Sequence, residues 1–173
     1  MAWLAEWRRQ RVHRQRAEHY VRSLPAHPEA AELAWATGLC GEPSRARREL
    51  GWLRWAVSRL VAERDAMDDR TAAEVVRVME PLASGGADPA PGDPEGWQKR
   101  WAQYAAAAGQ RGTATRLPDR LAAVLLQAVG HPVAPSPVAG LSAESFARAR
   151  AVVERYRAES NAALREAFGT VSL

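Results

Sequence analysis

Residues Ser44 to Leu82 hold the most regular apolar pattern in the chain, and this pattern constrains the fold most. Large apolar residues recur first at spacings of three, four and seven, the period of a helix with one buried face, at Leu50, Leu53, Val57, Leu60 and Met67. The acidic pair Asp68-Asp69 interrupts the pattern, which then resumes at Val75, Val76, Met79 and Leu82. Two amphipathic helices joined by so short a break predict an antiparallel helical hairpin.

Local signals support a helix on the C-terminal side of this break. Asp69 is a favourable N-cap residue, and Thr71 with Glu74 has the S/T-x-x-E form of a capping box. Pro81 predicts that the regular helix ends nearby, because proline cannot donate a backbone hydrogen bond.

The first helix of the hairpin has a second apolar patch, roughly opposite the first. At about 100° per residue, Trp52, Trp55 and Arg59 share this patch with Ala62 and Ala66. A helix that is apolar on two sides either lies at the centre of a bundle or uses its second side for a partner. Packing inside the bundle is the commoner fate of large apolar side chains. Trp52, Trp55 and Arg59 are nevertheless retained as candidate partner-binding residues.

Five further segments have helical patterns with start or stop signals. They run from Ala2 to Ser23, from Pro28 to Leu39, from an Asp93 cap towards Gly109, from Pro118 to Val129, and from a Ser142 cap to Phe168. Strand signals are nearly absent, since the chain has no isoleucine and no alternating apolar run. We therefore predict an all-α fold, a single-domain bundle of about seven helices over residues 1–173, with the hairpin at its centre.

Two stretches lack apolar periodicity. Residues 84–92 are rich in Gly, Pro and Asp and are predicted to form a flexible loop. Residues 130–141 contain three prolines and are predicted to form an extended connector. Neither stretch is taken as a domain boundary, because neither half of the chain is clearly able to bury a full core alone.

The net charge of the chain is confined to its start, the basic N-terminal helix of residues 1–24. Residues 1–22 contain six arginines and two glutamates and so carry the whole net charge of +4, because the remaining 18 basic and 18 acidic residues balance. Trp3 and Trp7 lie beside these arginines, on a face that also holds Val21. The middle of this helix is polar all round, which predicts a helix that bridges elements, lies on the surface or awaits a partner.

The candidate partner-binding residues of this helix are Trp3, Trp7, Arg8, Arg9, Arg11, Arg14 and Arg16. In the simplest interpretation, both tryptophans pack on the edge of the bundle and the arginines are solvated. The same pattern would also suit a nucleic-acid platform or an anchor on an anionic membrane surface.

Residues that could carry catalysis are scattered. The four histidines stand singly, and His13 and His19 are six residues apart, which does not place them on one helical face. The acidic residues around Asp68-Asp69 match no metal-binding spacing and are accounted for by capping and arginine pairing. Cys40 is the only cysteine, and Gly109 to Thr115 lacks the Gly-Lys-Ser/Thr of a phosphate loop. We predict no catalytic residue, no metal site, no cofactor and no small-molecule substrate.

These features favour a non-enzymatic helical subunit that docks into a larger protein assembly through its tryptophan-bearing surfaces, because tryptophan is enriched in interface hot spots. The alternatives are sequence-nonspecific nucleic-acid binding and peripheral membrane association, both through the N-terminal helix. A cytoplasmic location is expected, because a lone cysteine fits a reducing compartment and the start of the chain does not resemble a secretory signal.

The loop prediction can be checked by limited proteolysis of the native protein. Because residues 84–92 offer little to bury, we expect a protease to cleave there before it cleaves elsewhere. Mass spectrometry of the first fragments identifies the site. Resistance of this stretch, together with early cleavage inside the long helix before it, would contradict the prediction.

Overall fold

The computed structural model describes residues 2–65, 69–84, 93–110, 114–130 and 143–169. These residues form seven helices and no strand, so the predicted all-α bundle is confirmed. The helices are α1 (Ala2–Ser23), α2 (Ala30–Cys40), α3 (Pro43–Asp65), α4 (Asp69–Ser84), α5 (Pro94–Gly109), α6 (Leu117–Ala128) and α7 (Ala143–Phe168). Residues 85–92 and 131–141, which make up nearly all of the two predicted connecting segments, lie outside the described residues.

The long helix α3 lies at the centre of the bundle. Every residue from Glu49 to Ala62 is buried except Trp55 and Arg59, which are partly exposed. The helix packs against α2, α4, α5, α6 and α7. It also touches α1, because the Tyr20 hydroxyl donates a hydrogen bond to the Ser58 carbonyl oxygen at 2.9 Å. α3 therefore contacts all six of the other described helices, as expected of a helix with two apolar faces.

Helix α4 completes the predicted hairpin by packing against α3. Val75 and Met79 are its buried apolar residues, as the periodicity indicates. The end of the helix differs slightly from the prediction, because α4 continues past Pro81 to Ser84. Pro81 lies in the last turn, where the loss of one backbone donor interrupts few hydrogen bonds.

The start of α2 is a correction to the sequence prediction. Pro28 is not the first helical residue, because Glu29 is the N-cap and has an extended backbone. The Glu29 backbone N–H donates to the Glu32 carboxylate at 3.3 Å, and the Glu29 side chain accepts in return, which forms a capping box. At the other end, Gly41 has a φ of 72°, and its N–H donates to the Thr37 carbonyl oxygen at 2.7 Å.

The close contact between α3 and α5 depends on a glycine. Asp93 caps α5, as predicted, by accepting a hydrogen bond from the Gly96 N–H at 2.8 Å. A Cβ atom at Gly96 would lie 2.8 Å from the Trp52 ring and closer still to the Asp93 carboxylate. Glycine therefore allows the first turn of α5 to approach the indole of α3.

The second half of α1 belongs to the core, which the polar appearance of this helix did not indicate. Ala17, Tyr20, Val21 and Leu24 are all buried. The Tyr20 hydroxyl is satisfied inside the protein by its hydrogen bond to the Ser58 carbonyl oxygen. α1 packs against α4 and α7.

In the described part of the chain, the apolar length needed to cross a lipid bilayer is not reached by any helix.

The central position of α3 predicts large stability losses when its leucines are truncated. Leu53 and Leu60 are buried at its main apolar face, so Leu53→Ala and Leu60→Ala should each lower the free energy of unfolding by about 2–5 kcal/mol. Chemical denaturation measures the change. Val12→Ala, at an exposed position of α1, is the control and should change stability by less than about 0.5 kcal/mol. Losses below about 1 kcal/mol at both leucines would contradict the assignment of this face to the core.

Candidate partner-binding surface

Helix α1 lies beside α4 and shares two grooves with it. Gln10 lines one groove with Arg70, near the start of α4, and Glu18 lines another with Arg77, about two turns further on. Trp3 and Trp7, which precede Gln10, are exposed, whereas Ala17 and Tyr20 further along α1 are buried. This places the first half of α1 at the edge of the bundle and the second half against its core.

The exposed large hydrophobic side chains of the described residues all lie in the first half of α1. Trp3 is 73% exposed, Trp7 48% and Val12 44%. Trp3 and Trp7 fall within about 40° of the buried residue Val21 when the helix is viewed along its axis. The stripe that is buried at the end of α1 thus continues to its start, where the two indoles face solvent.

Arginines flank the exposed tryptophans. The Arg11 guanidinium carbon lies 5.6 Å from the centre of the Trp7 ring, a cation–π distance. Arg14 donates from Nε to a Glu18 carboxylate oxygen at 3.1 Å, and Arg22 lies 3.8 Å from the other oxygen. Glu18 therefore neutralises part of the charge on this face.

The remaining arginines of the predicted set have no described contact with the two tryptophans. Arg16 is exposed on the side of α1 away from Trp3 and Trp7. Arg8 and Arg9 belong to α1, but their side chains lie outside the described part of the structure.

A groove of about 450 Å³ runs between α1 and α4, and it is referred to as the α1–α4 groove. Three arginines, one glutamate, two glutamines and one indole line it: Trp7, Gln10, Arg11, Arg14, Gln15, Glu18 and Arg77. A second groove of about 340 Å³ adjoins it at Gln10 and is otherwise lined by His13, Arg70, Ala73 and Glu74. The volume of the α1–α4 groove is in the range of ligand pockets, although its lining is more polar than most.

The candidate residues on α3 are placed differently from those on α1. Trp52 is only 4% exposed and packs in the core beneath Arg48, whose guanidinium carbon lies 5.5 Å from its ring. Trp55 is partly buried. Arg59 stacks on Trp101 at 4.0 Å and pairs with Glu63 at 2.9 Å. Packing within the bundle therefore accounts for Trp52, and the structure does not bring the α3 residues together with Trp3 and Trp7.

Buried charge inside the bundle is the main feature that the sequence did not indicate. Arg54 of α3 is buried, and its guanidinium donates to Glu159 of α7 at 3.1 Å and to the His27 carbonyl oxygen at 3.5 Å. Its guanidinium carbon also lies 4.1 Å from the Tyr156 ring centre. One arginine thus ties α3 to α7 and to the segment before α2.

Tyr156 extends this network to α2. Its hydroxyl donates to a Glu32 carboxylate oxygen at 2.9 Å. Arg155 forms ion pairs with Glu29 and Glu32, the two residues of the capping box. Burial raises the pKa of Glu32, and the Tyr156 hydrogen bond and the charge of Arg54 oppose that shift. The same carboxylate therefore caps α2 and joins it to α7.

Hydrogen bonds of buried hydroxyl groups link α3 to α7, and the Tyr20 hydroxyl links α1 to the Ser58 carbonyl oxygen of α3. The Ser160 hydroxyl donates to the Tyr156 carbonyl oxygen at 2.7 Å, and it lies 2.8 Å from the Ser58 hydroxyl. Because Ser160 has a single hydroxyl proton, Ser58 is the donor between the two serines. Burial raises the pKa values of Tyr20 and Tyr156 further above neutral pH, where a phenol is already protonated. Each of these groups has a structural hydrogen bond.

A further buried ion pair connects α3 to α5. Glu49 is buried and accepts from Arg100 at 2.8 Å. Burial raises the pKa of Glu49, while the positive charge of Arg100 opposes the shift. Among the described residues, histidine, cysteine and carboxylate side chains do not gather in a group of three or more that could hold a metal ion.

Comparison of the chain with protein-family models, with curated protein sequences and with solved structures gave no match. Its function is therefore inferred from the surface of the molecule itself.

The buried network predicts unequal costs for removing two arginines. Arg54→Ala removes the buried guanidinium that binds Glu159 and the His27 carbonyl oxygen, leaves Glu159 only its 3.8 Å contact with Arg155, and should lower the free energy of unfolding by about 1.5–3 kcal/mol. Arg22→Ala, whose side chain is mostly exposed, is the control and should cost less than about 1 kcal/mol. Urea denaturation of both variants tests this. Equal losses would show that the Arg54 pair does not stabilise the junction of α3 and α7.

Proposed function

We propose that the protein is a non-catalytic helical subunit that docks onto a partner protein through the first half of α1. The observation that carries this proposal is the exposure of Trp3 and Trp7 on a helix whose second half is fixed in the core. An exposed pair of indoles four residues apart has the spacing of anchors that insert into a groove on a partner. Tryptophan and arginine are the residue types most enriched in interface hot spots.

The position of α1 in the bundle supports docking in this form. Because Ala17 and Tyr20 are buried, the helix is already ordered, and a partner would have little chain entropy to remove on binding. A helix held in its bound conformation is a preorganised ligand for a complementary groove.

The arrangement of charge favours a protein over a nucleic acid. The arginines at positions 8, 9, 11, 14 and 16 spread over about 220° of the helix circumference. They do not form the single basic face that a phosphate backbone would follow. Glu18 also pairs with Arg14 beside the tryptophans, and its carboxylate would repel phosphates. The net positive charge of this segment still makes nucleic acid and anionic lipid the two alternatives to test.

Cross-linking from the surface identifies the partner and tests the proposal. A photo-reactive amino acid in place of the exposed Gln10, which leaves both tryptophans intact, is used in the native host, and the cross-linked protein is identified by mass spectrometry. With the purified partner, Trp3→Ala and Trp7→Ala should each weaken binding by about thirtyfold, the effect of losing an interface hot spot. Arg16→Ala, an exposed change on the far side of α1, is the control and should change affinity by less than about threefold.

Two results would contradict docking to a protein. The first is micromolar or tighter binding to duplex DNA at physiological salt, with a steep salt dependence and equal losses from Trp3→Ala and Arg16→Ala. The second is binding to anionic vesicles, but not to neutral ones, that requires the same residues. Point variants are preferred to deletion of the whole helix, because deletion would remove the core residue Tyr20.

A further inference from the structure

The α1–α4 groove combines excess positive charge with groups that suit a peptide. Its lining contains three guanidinium groups and one carboxylate. Arg14 pairs with that carboxylate, Glu18, and Arg77 lies 3.7 Å from Glu74. Arg11 stacks on Trp7, and no carboxylate of the described residues is within ion-pair distance of it. The groove is therefore positive even after its internal pairs are counted.

The glutamines and the tryptophan that line the groove indicate which class of anionic ligand it would bind. The side-chain amides of Gln10 and Gln15 can each donate and accept a hydrogen bond, as the groups of a peptide backbone require. Arginine binds carboxylates with two parallel hydrogen bonds. The half-exposed Trp7 ring offers an apolar wall at the same place. Together these groups complement a short acidic peptide that also has an apolar side chain.

We propose that the α1–α4 groove binds an acidic segment of the partner protein. Carboxylates of that segment lie among Arg11, Arg14 and Arg77, and an apolar side chain packs against Trp7. This inference rests on the proposed docking function and adds the chemistry of the partner to it. It also gives α4 a part in binding through Arg77, whose side chain is 56% exposed.

A nucleic acid fits the groove less well than an acidic peptide does. The two glutamines match peptide groups, whereas one indole offers only a single stacking position for a base. Nucleic acid is therefore an outcome of the test and not part of the proposal.

Fluorescence anisotropy of the intact protein tests the groove directly. The probe is a fluorescein-labelled peptide of glutamates and phenylalanines, and the comparison peptide has lysine in place of each glutamate. We expect saturable binding of the acidic probe, weakened by high salt, and at least about tenfold weaker binding of the lysine peptide. Arg77→Glu should reduce affinity for the acidic probe by about tenfold or more, and Arg77→Gln by a smaller factor.

The matched control is Arg47→Glu, which makes the same charge change at an exposed position of α3 that does not line the groove. It should leave the affinity within about threefold of the wild-type value. Equal losses from Arg47→Glu and Arg77→Glu would overturn the proposal, because they would indicate a nonspecific charge effect. Absence of saturable binding to the acidic probe would also overturn it, as would tighter binding of a single-stranded oligonucleotide that Arg77→Glu abolishes.

Failure of this inference can be told apart from failure of docking itself. Trp3 does not line the groove, so Trp3→Ala tests docking alone. If Trp3→Ala weakens binding of the cross-linked partner but neither Arg77 variant does, the groove assignment is wrong and the docking function stands. If Trp3→Ala does not weaken binding of the partner either, both proposals are wrong.

Discussion

A helix that is buried on nearly every side must satisfy its polar side chains inside the protein. α3 carries Glu49, Arg54 and Ser58 into the core, and each of them meets a partner on another helix. Apolar packing alone tolerates small shifts between helices, whereas a buried charge that loses its partner is costly. These few contacts therefore fix α5 and α7 against α3, and the Tyr156–Glu32 hydrogen bond then fixes α2.

Contacts with the core also explain why the two halves of α1 differ, one being buried and the other exposed. Its second half is held by the Tyr20 hydrogen bond to the α3 backbone and by packing on α4 and α7. Its first half continues as one unbroken helix but has left the core, so Trp3 and Trp7 remain exposed. A surface built in this way is rigid without being covered, and it can be recognised at low entropic cost. The α1–α4 groove lies along this helix, from Trp7 to Glu18.

The helices themselves could be predicted from local signals. The Asp93 cap, the apolar period around Leu53 and the glycine that follows α2 are each readable from a few neighbouring residues. The buried network could not be read in this way, because Arg54 and Glu159 are 105 residues apart. Charged residues on a predicted helix are normally assigned to solvent, and only the tertiary arrangement shows that this pair is internal.

The exposure of the tryptophans in the candidate site could not be predicted from local sequence signals either. By periodicity alone, Trp52 and Trp7 are equally good candidates for the core or for a partner surface. The structure separates them, because α3 is surrounded by other helices while Trp7, near the start of α1, is 48% exposed. The sequence could identify the set of candidate residues, but their exposure depends on which helices end up beside them.

The most direct test of the docking surface is hydroxyl-radical footprinting of the tryptophans in the free protein and in the complex with its partner. In the free protein, Trp3 and Trp7 should be oxidised fastest, and the buried Trp52 and Trp97 should be protected. In the complex, oxidation of Trp3 and Trp7 should fall to the level of the buried pair, while the other tryptophans keep their rates. Unchanged oxidation of Trp3 and Trp7 in the complex would contradict the account.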